Sequence, residues 1–318
     1  MALPAVRLCT GASMPLLGLG TSSVYGRQND CYRAVKTALQ MGYRHFDTAE
    51  YYKNEKEIGQ ALQENFTAGL NREEVFVTSK LWNTRHHPDD VLPACQRSLT
   101  DLGLDYLDLY LMHFPVAFAR GDNLLPYDDK GQIITLDIHF METWKAMEKL
   151  VDKGRVKAIG VSNFNISQME EVLTNGRIRP AVNQIESHPY LGCHRLLEYC
   201  TAKGVVMTAY CPMGRPGSQE AKEYGVGSLL EDPVIIEISK KHGKTPAQVC
   251  LKWQVQRNVV VIPKSVTPAR IQENCQLFDF ELSEDDMSAI NKLDKNARIV
   301  GLNWECKTHP LWPFNEDF

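Results

Sequence analysis

Eight short apolar segments recur along the chain, at Tyr43–Asp47, Val75–Lys80, Leu107–His113, Ala158–Asn163, Val182–Glu186, Val205–Tyr210, Val259–Lys264 and Gln276–Phe280. They are rich in Val, Ile, Leu and Phe and nearly continuous in hydrophobicity, as strands buried on both faces are. Helical patterns lie between them. Tyr32, Val35 and Leu39 step by three and four residues before Gly42; Val91, Cys95, Leu99 and Leu102 do so before Gly103, and Phe140, Trp144, Met147 and Val151 before Gly154. Eight β units with helices between them predict an α/β fold, a (β/α)8 TIM barrel. The competing arrangement is an open doubly wound sheet, which would show G-x-G-x-x-G after its first strand. The near match GLGTSS, Gly18 to Ser23, lacks the third glycine and opens no clear helix.

Ahead of the barrel, Val6–Cys9 and Met14–Leu17 flank Thr10-Gly11-Ala12-Ser13 and read as an N-terminal hairpin able to cover one barrel end. Three long segments lack periodicity: 114–137, 211–232 and 296–318. Such loops are usually functional. The first two directly follow strands three and six, so they belong to the C-terminal face, where barrel enzymes keep their sites. No linker or low-complexity tract divides the 318 residues, which are read as one domain, 1–318. A net charge of -4 and pI near 6.2 exclude a general nucleic-acid binder. No apolar run approaches a membrane span, and the start MALPAVRLCTGASMP shows no signal peptide. Nine dispersed cysteines without a C-x-x-C pair fit a reducing cytosol. In that compartment the patterns Asn65-Phe-Thr67 and Asn165-Ile-Ser167 carry no glycosylation meaning.

The predicted strand ends carry the polar chemistry. Strand one gives Asp47 and, shortly after, Tyr52; strand two ends at Lys80, strand three at His113 and strand four at Ser162-Asn163. Strand five supplies Gln184 and Glu186, strand six ends at Tyr210 and strand seven at Lys264-Ser265. A barrel brings these groups to one mouth. Asp47, Tyr52, Lys80 and His113 form a coherent set. Tyrosine, with an ordinary pKa of about 10, is a poor acid at neutral pH. An ammonium held by a carboxylate stabilises phenolate and lowers that pKa, while a neutral histidine orients a carbonyl by donating a hydrogen bond. Carbonyl reduction requires such a proton donor beside a polarised carbonyl. Taken singly, an Asp or Lys at a strand end is more often a solvated or ion-paired group; the joint placement is what points to chemistry. His86-His87 and Cys193-His194 lack partners at ligand spacing, so no metal site is expected. No nucleophile elbow or Walker loop occurs.

Several motifs in order resemble the aldo-keto reductase family, aldose/aldehyde reductase-like. They are GYRHFDTAEYYKNEKEIG at 42–59, TSKLW at 78–82, LYLMHFP at 109–115, GVSNF at 160–164, NQIESHPY at 183–190, IPKSVTPARIQEN at 262–274 and HPLWPFNEDF at the end. The resemblance implies a barrel that reduces aldehydes and ketones to alcohols with NADPH and has no Rossmann domain. It implies Tyr52 as proton donor, with Asp47, Lys80 and His113 completing a catalytic tetrad. It further implies a cofactor site. Tyr210 stacks on nicotinamide, and Ser162, Asn163 and Gln184 bind its carboxamide. Gly20, Thr21 and Cys211 lie along the cofactor. Lys264, Ser265, Val266, Thr267, Arg270, Glu273 and Asn274 surround the adenine and the adenosine 2′-phosphate. Lys and Arg six residues apart suit a dianionic phosphate.

The sequence also departs from the family pattern. Cys211 follows the stacking tyrosine where Ser is common, and a thiol is the weaker hydrogen-bonding group. Ser22 and Phe114 stand where aldose reductases often carry Trp, which alters the expected pocket. That pocket is expected to draw on Ser22, Tyr25, Tyr51, Trp82, His113, Phe114 and Phe118, with Asn303 and Trp304 from the C-terminal segment; for Trp82 and Phe118 core packing is the alternative. The expected protein is a cytoplasmic monomer acting on a small-molecule carbonyl, without nucleic-acid or membrane partners. Two other functions fit the same residues. One is a dehydrogenase acting mainly on steroid or other secondary alcohols. The other is a barrel with a structural or regulatory role and secondary catalysis.

Overall fold

In a computed structural model that describes residues 3–22, 29–223, 226–300 and 306–316, eight parallel strands form one sheet. After an antiparallel hairpin, β1 Ala5–Arg7 and β2 Ser13–Pro15, the sheet runs in chain order. Its strands are β3 Leu19–Gly20, β4 His45–Asp47, β5 Phe76–Leu81, β6 Leu109–Met112, β7 Ile159–Ser162, β8 Val182–Glu186, β9 Val206–Tyr210 and β10 Val260–Val261. Parallel bridges Leu17–Val261 and Gly20–Lys264 join its two edges, so no edge strand is left unpaired. The fold is the expected (β/α)8 barrel with an N-terminal hairpin.

One predicted strand is wrong. Residues 276–280 form no strand; the eighth strand is the pair Leu19–Gly20, ahead of the first expected one. Gln276 directly follows a helix, and Leu277 packs into the core outside the sheet. Leu19 stands between Gly18 and Gly20, so this strand has no apolar run of its own to be read, unlike the equally short Val260–Val261 within Val259–Ile262. Its identity is fixed by closure: a Cβ on Gly20 would stand 2.4 Å from the Ile262 carbonyl oxygen. The strand meets its partner at van der Waals limits there, which gives Gly20 a packing reason independent of any ligand.

The helices are α1 Asp30–Gln40, α2 Glu55–Thr67, α3 Pro88–Leu102, α4 Phe140–Asp152, α5 Ile166–Asn175 and α6 His194–Ala202. They continue with α7 Gln219–Glu223, α8 Pro233–His242, α9 Pro246–Gln256, α10 Pro268–Cys275 and α11 Glu284–Asn291. Local signals set their ends. Proline opens α3, α8, α9 and α10, where the missing N–H is no loss. Gly103 and Gly243 close α3 and α8 in the left-handed conformation. Asn165 caps α5 by accepting from the Gln168 amide at 2.9 Å, and donates to the Pro313 carbonyl at 3.1 Å. It is buried, so the glycosylation-like pattern there has a structural use. The main core lies between helices and strands, with Val35, Leu62, Leu99, Trp144, Val172 and Leu196 facing the sheet. A second cluster shows the hairpin covering the N-terminal end: Leu8, Met14 and Leu16 pack on Phe76, Ala158, Val182, Val206 and Val260 at strand starts. The opposite, C-terminal end is left for the polar groups.

Candidate active site

At that end the registers place the predicted residues side by side. Asp47 pairs with Gly20 on one side and Thr78 on the other; Lys80 pairs with Leu111, and Ser162 with Gln184. Asp47 and Lys80 are fully buried, and Lys80 Nζ donates to Asp47 Oδ1 at 2.5 Å and to the Thr48 carbonyl at 2.8 Å. Its third proton points to Tyr52 Oη at 3.4 Å. Tyr52 lies on a single 3₁₀ turn, Glu50–Tyr52, that follows β4 and ends at Lys53 in the left-handed conformation. The other Asp47 oxygen accepts from Gln184 Nε2 at 2.7 Å. One carboxylate thus aligns the ammonium, and the ammonium faces the phenol.

His113 follows β6 and meets Tyr52 edge to face, with ring centroids 5.8 Å apart. Its Nδ1 is buried without a hydrogen-bond partner among the described residues. Burial, then Lys80 and His86, hold the imidazole well below 6.5, so it is neutral and carries one donor and one acceptor nitrogen. Burial also pulls Lys80 below the ordinary ammonium range, against the opposing effect of Asp47. The Tyr52 phenol is pushed well above 10, first by burial and then by Asp47, Cys211 and Tyr51. The lowering expected from Lys80 is therefore not the net result. Asp47 compensates the ammonium at 2.5 Å while the phenol lies 3.4 Å away, and burial dominates. The direction still favours a protonated phenol, the form a proton donor needs.

A second network runs along the strand ends. Tyr210 Oη donates to Asn163 Oδ1 at 2.7 Å, and Asn163 Nδ2 donates to the His113 carbonyl at 3.0 Å and to Ser162 Oγ at 3.1 Å. Asn163 and Cys211, just after β7 and β9, both adopt positive φ. Thr21 is buried, its amide and hydroxyl both bonded to the Asp47 carbonyl, and its own carbonyl accepts from Asn54. Ser22 is exposed.

Beyond the Gly20–Lys264 bridge lies the start of α10. Ser265 Oγ accepts from the Thr267 amide at 3.1 Å in a tight turn, Val266 is exposed, and Asn274 is buried on the inner face of the helix. Lys264 and Arg270 are exposed and make no ion pair with a described residue. Glu273 instead accepts from Thr245 Oγ1 at 2.7 Å and so ties α10 to α9.

An aromatic wall flanks His113. Tyr51 stacks on Trp82, with centroids 3.9 Å apart, and the Trp82 ring meets His113 at 5.0 Å and Phe118 at 6.1 Å. Trp82, Phe114 and Phe118 are buried, with Trp82 Nε1 donating to the Leu124 carbonyl at 2.7 Å. Phe114 packs against Trp312 and Phe314. These residues therefore back the wall, while Tyr51 and His113 form its half-exposed face. Tyr25, Asn303 and Trp304 lie outside the described residues. Sequence reasoning missed the Gln184–Asp47 bond and the backing role of Trp312 and Phe314. The second had a signal, the aromatic run HPLWPF; the first had none.

No helix among the described residues is long and apolar enough to cross a membrane. No cluster of His, Cys, Asp or Glu among them could hold a metal ion. The family model described as Aldo/keto reductase family matches residues 16–295. The chain is 48% identical over 328 residues to the human Aldo-keto reductase family 1 member A1, covering 100% of both chains. It is 50% identical over 322 residues to the protein of that name from Xenopus tropicalis, with 98% of this chain and 97% of the relative covered. The solved aldose reductase of Schistosoma japonicum superposes with a TM-score of 0.93 at 43% identity, over 99% of this chain and 100% of that one.

Proposed function

The chain belongs to the aldo/keto reductase family, and from that premise we propose that it reduces aldehydes and ketones with NADPH, with Tyr52 as general acid. The observation that carries this reading is the contact chain Gln184–Asp47–Lys80–Tyr52, which ends beside a neutral His113.

The donor set fits the cofactor. Exposed Lys264 and Arg270, both without an ion pair among the described residues, stand at the start of α10 with Ser265 and Thr267. Two cations beside hydroxyl and backbone donors at a helix start match a phosphate dianion. Tyr210, Ser162, Asn163 and Gln184 converge from neighbouring strand ends, where a flat amide-bearing ring would be held. When bound, reduced nicotinamide supplies the hydride to the carbonyl carbon.

The chain's own residues do the rest. The neutral His113 donates one N–H to the carbonyl oxygen and fixes its direction. As negative charge grows on that oxygen, Tyr52 gives up its phenolic proton. Lys80 then donates to the phenolate, and the contact of 3.4 Å has room to tighten. Asp47 keeps the ammonium aimed, and Gln184 keeps Asp47 aimed. The aromatic wall keeps water from the reacting bond and favours apolar carbonyl compounds. The substrate is a small molecule, and we place the protein as a cytoplasmic monomer; all nine cysteines are free thiols, as a reducing compartment requires.

The decisive experiment is Tyr52→Phe. It keeps the ring and removes the proton, and should lower kcat about a hundred- to ten-thousand-fold with NADPH affinity nearly unchanged. Normal turnover by the pure variant would remove Tyr52 from the mechanism.

A further inference from the structure

Glu186 is the last residue of β8, fully buried, and its carboxylate serves neither the Lys80–Tyr52 pair nor the network around Asn163. Its hydrogen bonds lie elsewhere. Oε1 accepts from the Ile299 amide at 2.9 Å, and Oε2 accepts from the Val300 amide at 2.8 Å. Oε1 also contacts His188 Nε2 at 3.1 Å. A carboxylate can only accept, so that nitrogen carries the proton. Two successive backbone amides of the C-terminal segment are thus gripped by one buried carboxylate, with a fully buried histidine as its third donor. The grip is extended by Tyr190, whose carbonyl accepts from the Lys295 and Ala297 amides at 3.1 and 2.9 Å.

What is gripped leads to the aromatic wall. Arg298, beside the clamped amides, holds its guanidinium carbon 4.0 Å from the Phe314 ring centre. Phe314 meets Phe114 at 5.7 Å and Trp312 at 5.3 Å, and Phe114 is the residue after His113. From these contacts we infer that Glu186 is a positioning residue: by holding residues 298–300 it sets, through Arg298 and Phe314, the wall against which a bulky carbonyl substrate lies. The inference rests on the reductase reading for its substrate, and on geometry alone for the clamp. A small aldehyde reaches Tyr52 and His113 without extending onto the part of the wall backed by Phe114, Trp312 and Phe314. A two-ring aldehyde needs it. Glu186 therefore governs selectivity by substrate size.

The test uses Glu186→Gln, which keeps shape and one acceptor oxygen but turns a donor toward one of the gripped amides. Hydrogen exchange followed amide by amide reads the clamp without any turnover. Losing one charge-assisted bond should speed exchange at Ile299 and Val300 about tenfold or more. It should also speed the Trp312 amide, which donates to the His309 carbonyl at 2.9 Å within the wall. In steady-state kinetics KM for 2-naphthaldehyde should rise about tenfold, while kcat for it and KM for propanal move far less. Arg298→Met breaks the link beyond the clamp, so it should reproduce the KM change with Ile299 and Val300 still protected; it also serves if Glu186→Gln does not fold. Native-protein exchange at Ile299 and Val300 as fast as in exposed backbone would overturn the clamp. Faster exchange there with an unchanged Trp312 amide, or equal KM changes for both aldehydes, would overturn the coupling to the wall. A protein that reduces no carbonyl compound at all would sink the reductase reading, and the exchange comparison would still decide the clamp.

Discussion

Removing Lys80 should damage the protein twice, and the two kinds of damage can be separated. Lys80→Met leaves Asp47 buried at 1% exposure with Gln184 as its remaining side-chain donor. Removing one partner of a buried ion pair costs about 3–5 kcal/mol, because the remaining charge stays desolvated. The Thr48 carbonyl also loses a donor, worth about 1 kcal/mol. Lys80→Met should therefore unfold at clearly lower urea. Adding Asp47→Asn removes the orphan charge, and the amide oxygen it introduces can still accept from Gln184. Replacing both members of a buried pair by uncharged groups is often close to neutral, so the double variant should recover most of the lost stability. Turnover should not recover, because no ammonium remains to receive the phenolate. Urea titrations by far-UV circular dichroism give the stabilities; NADPH oxidation with an aromatic aldehyde gives the rates. A double variant no more stable than Lys80→Met would show that the two charges are not one electrostatic unit. A double variant that regains turnover would reduce Lys80 to a structural group.

Three further outcomes follow from the site and its surroundings. Arg270→Met should weaken NADPH binding about tenfold or more, the worth of a charge-assisted bond, with little change for NADH; equal losses in a fluorescence titration of both cofactors would return Arg270 to an ordinary surface role. Because His113 is held well below 6.5 and acts in its neutral form, kcat/KM should stay level as pH falls through 6.5 and drop only in more acid solution. An acid limb centred at 6.5 would contradict that assignment. Burial raises Glu55 from 4.5 to about 7 despite hydrogen bonds from Ser79 and Ser98. A raised carboxyl contributes stability that is complete below pH 4.5 and lost as pH rises through 7, about 3 kcal/mol for such a shift. Glu55→Gln should remove that slope and be the more stable protein at pH 8, and urea titrations of both proteins with the same pH dependence would refute it.

The seven strands read correctly were legible because strands buried on both faces are largely apolar, and even the two-residue Val260–Val261 lies inside the apolar run Val259–Ile262. The failure at residues 276–280 has the same root. Leu277 is apolar because it packs into the core outside the sheet, and a short apolar run looks alike in both settings. Leu19–Gly20 escaped notice for the opposite reason. Its two residues are chosen for closure, where the Ile262 carbonyl leaves no room for a side chain, and closure is a long-range contact that periodicity does not record.

The site divides along a similar line. Strand ends gather polar groups at one mouth, so Asp47, Lys80, Tyr52 and His113 could be read from position together with chemical sense. How they act on one another could not. The sequence suggests that Lys80 lowers the Tyr52 pKa, yet the net direction is upward, first because the phenol is buried and then because Asp47, which also compensates the ammonium, raises it. Burial of this kind, and separations of 2.5 and 3.4 Å around the ammonium, are three-dimensional facts that no spacing encodes. Gln184 shows it from the other side. Resemblance assigns it to the cofactor, and the structure shows it holding Asp47. Its amide has two N–H groups and one carbonyl oxygen, so one N–H can stay on Asp47 while the remaining groups face the nicotinamide carboxamide. In that arrangement cofactor binding and the alignment of the proton donor share one side chain. Gln184→Leu would then weaken cofactor binding and lower kcat together, whereas a residue serving the cofactor alone would change only the first.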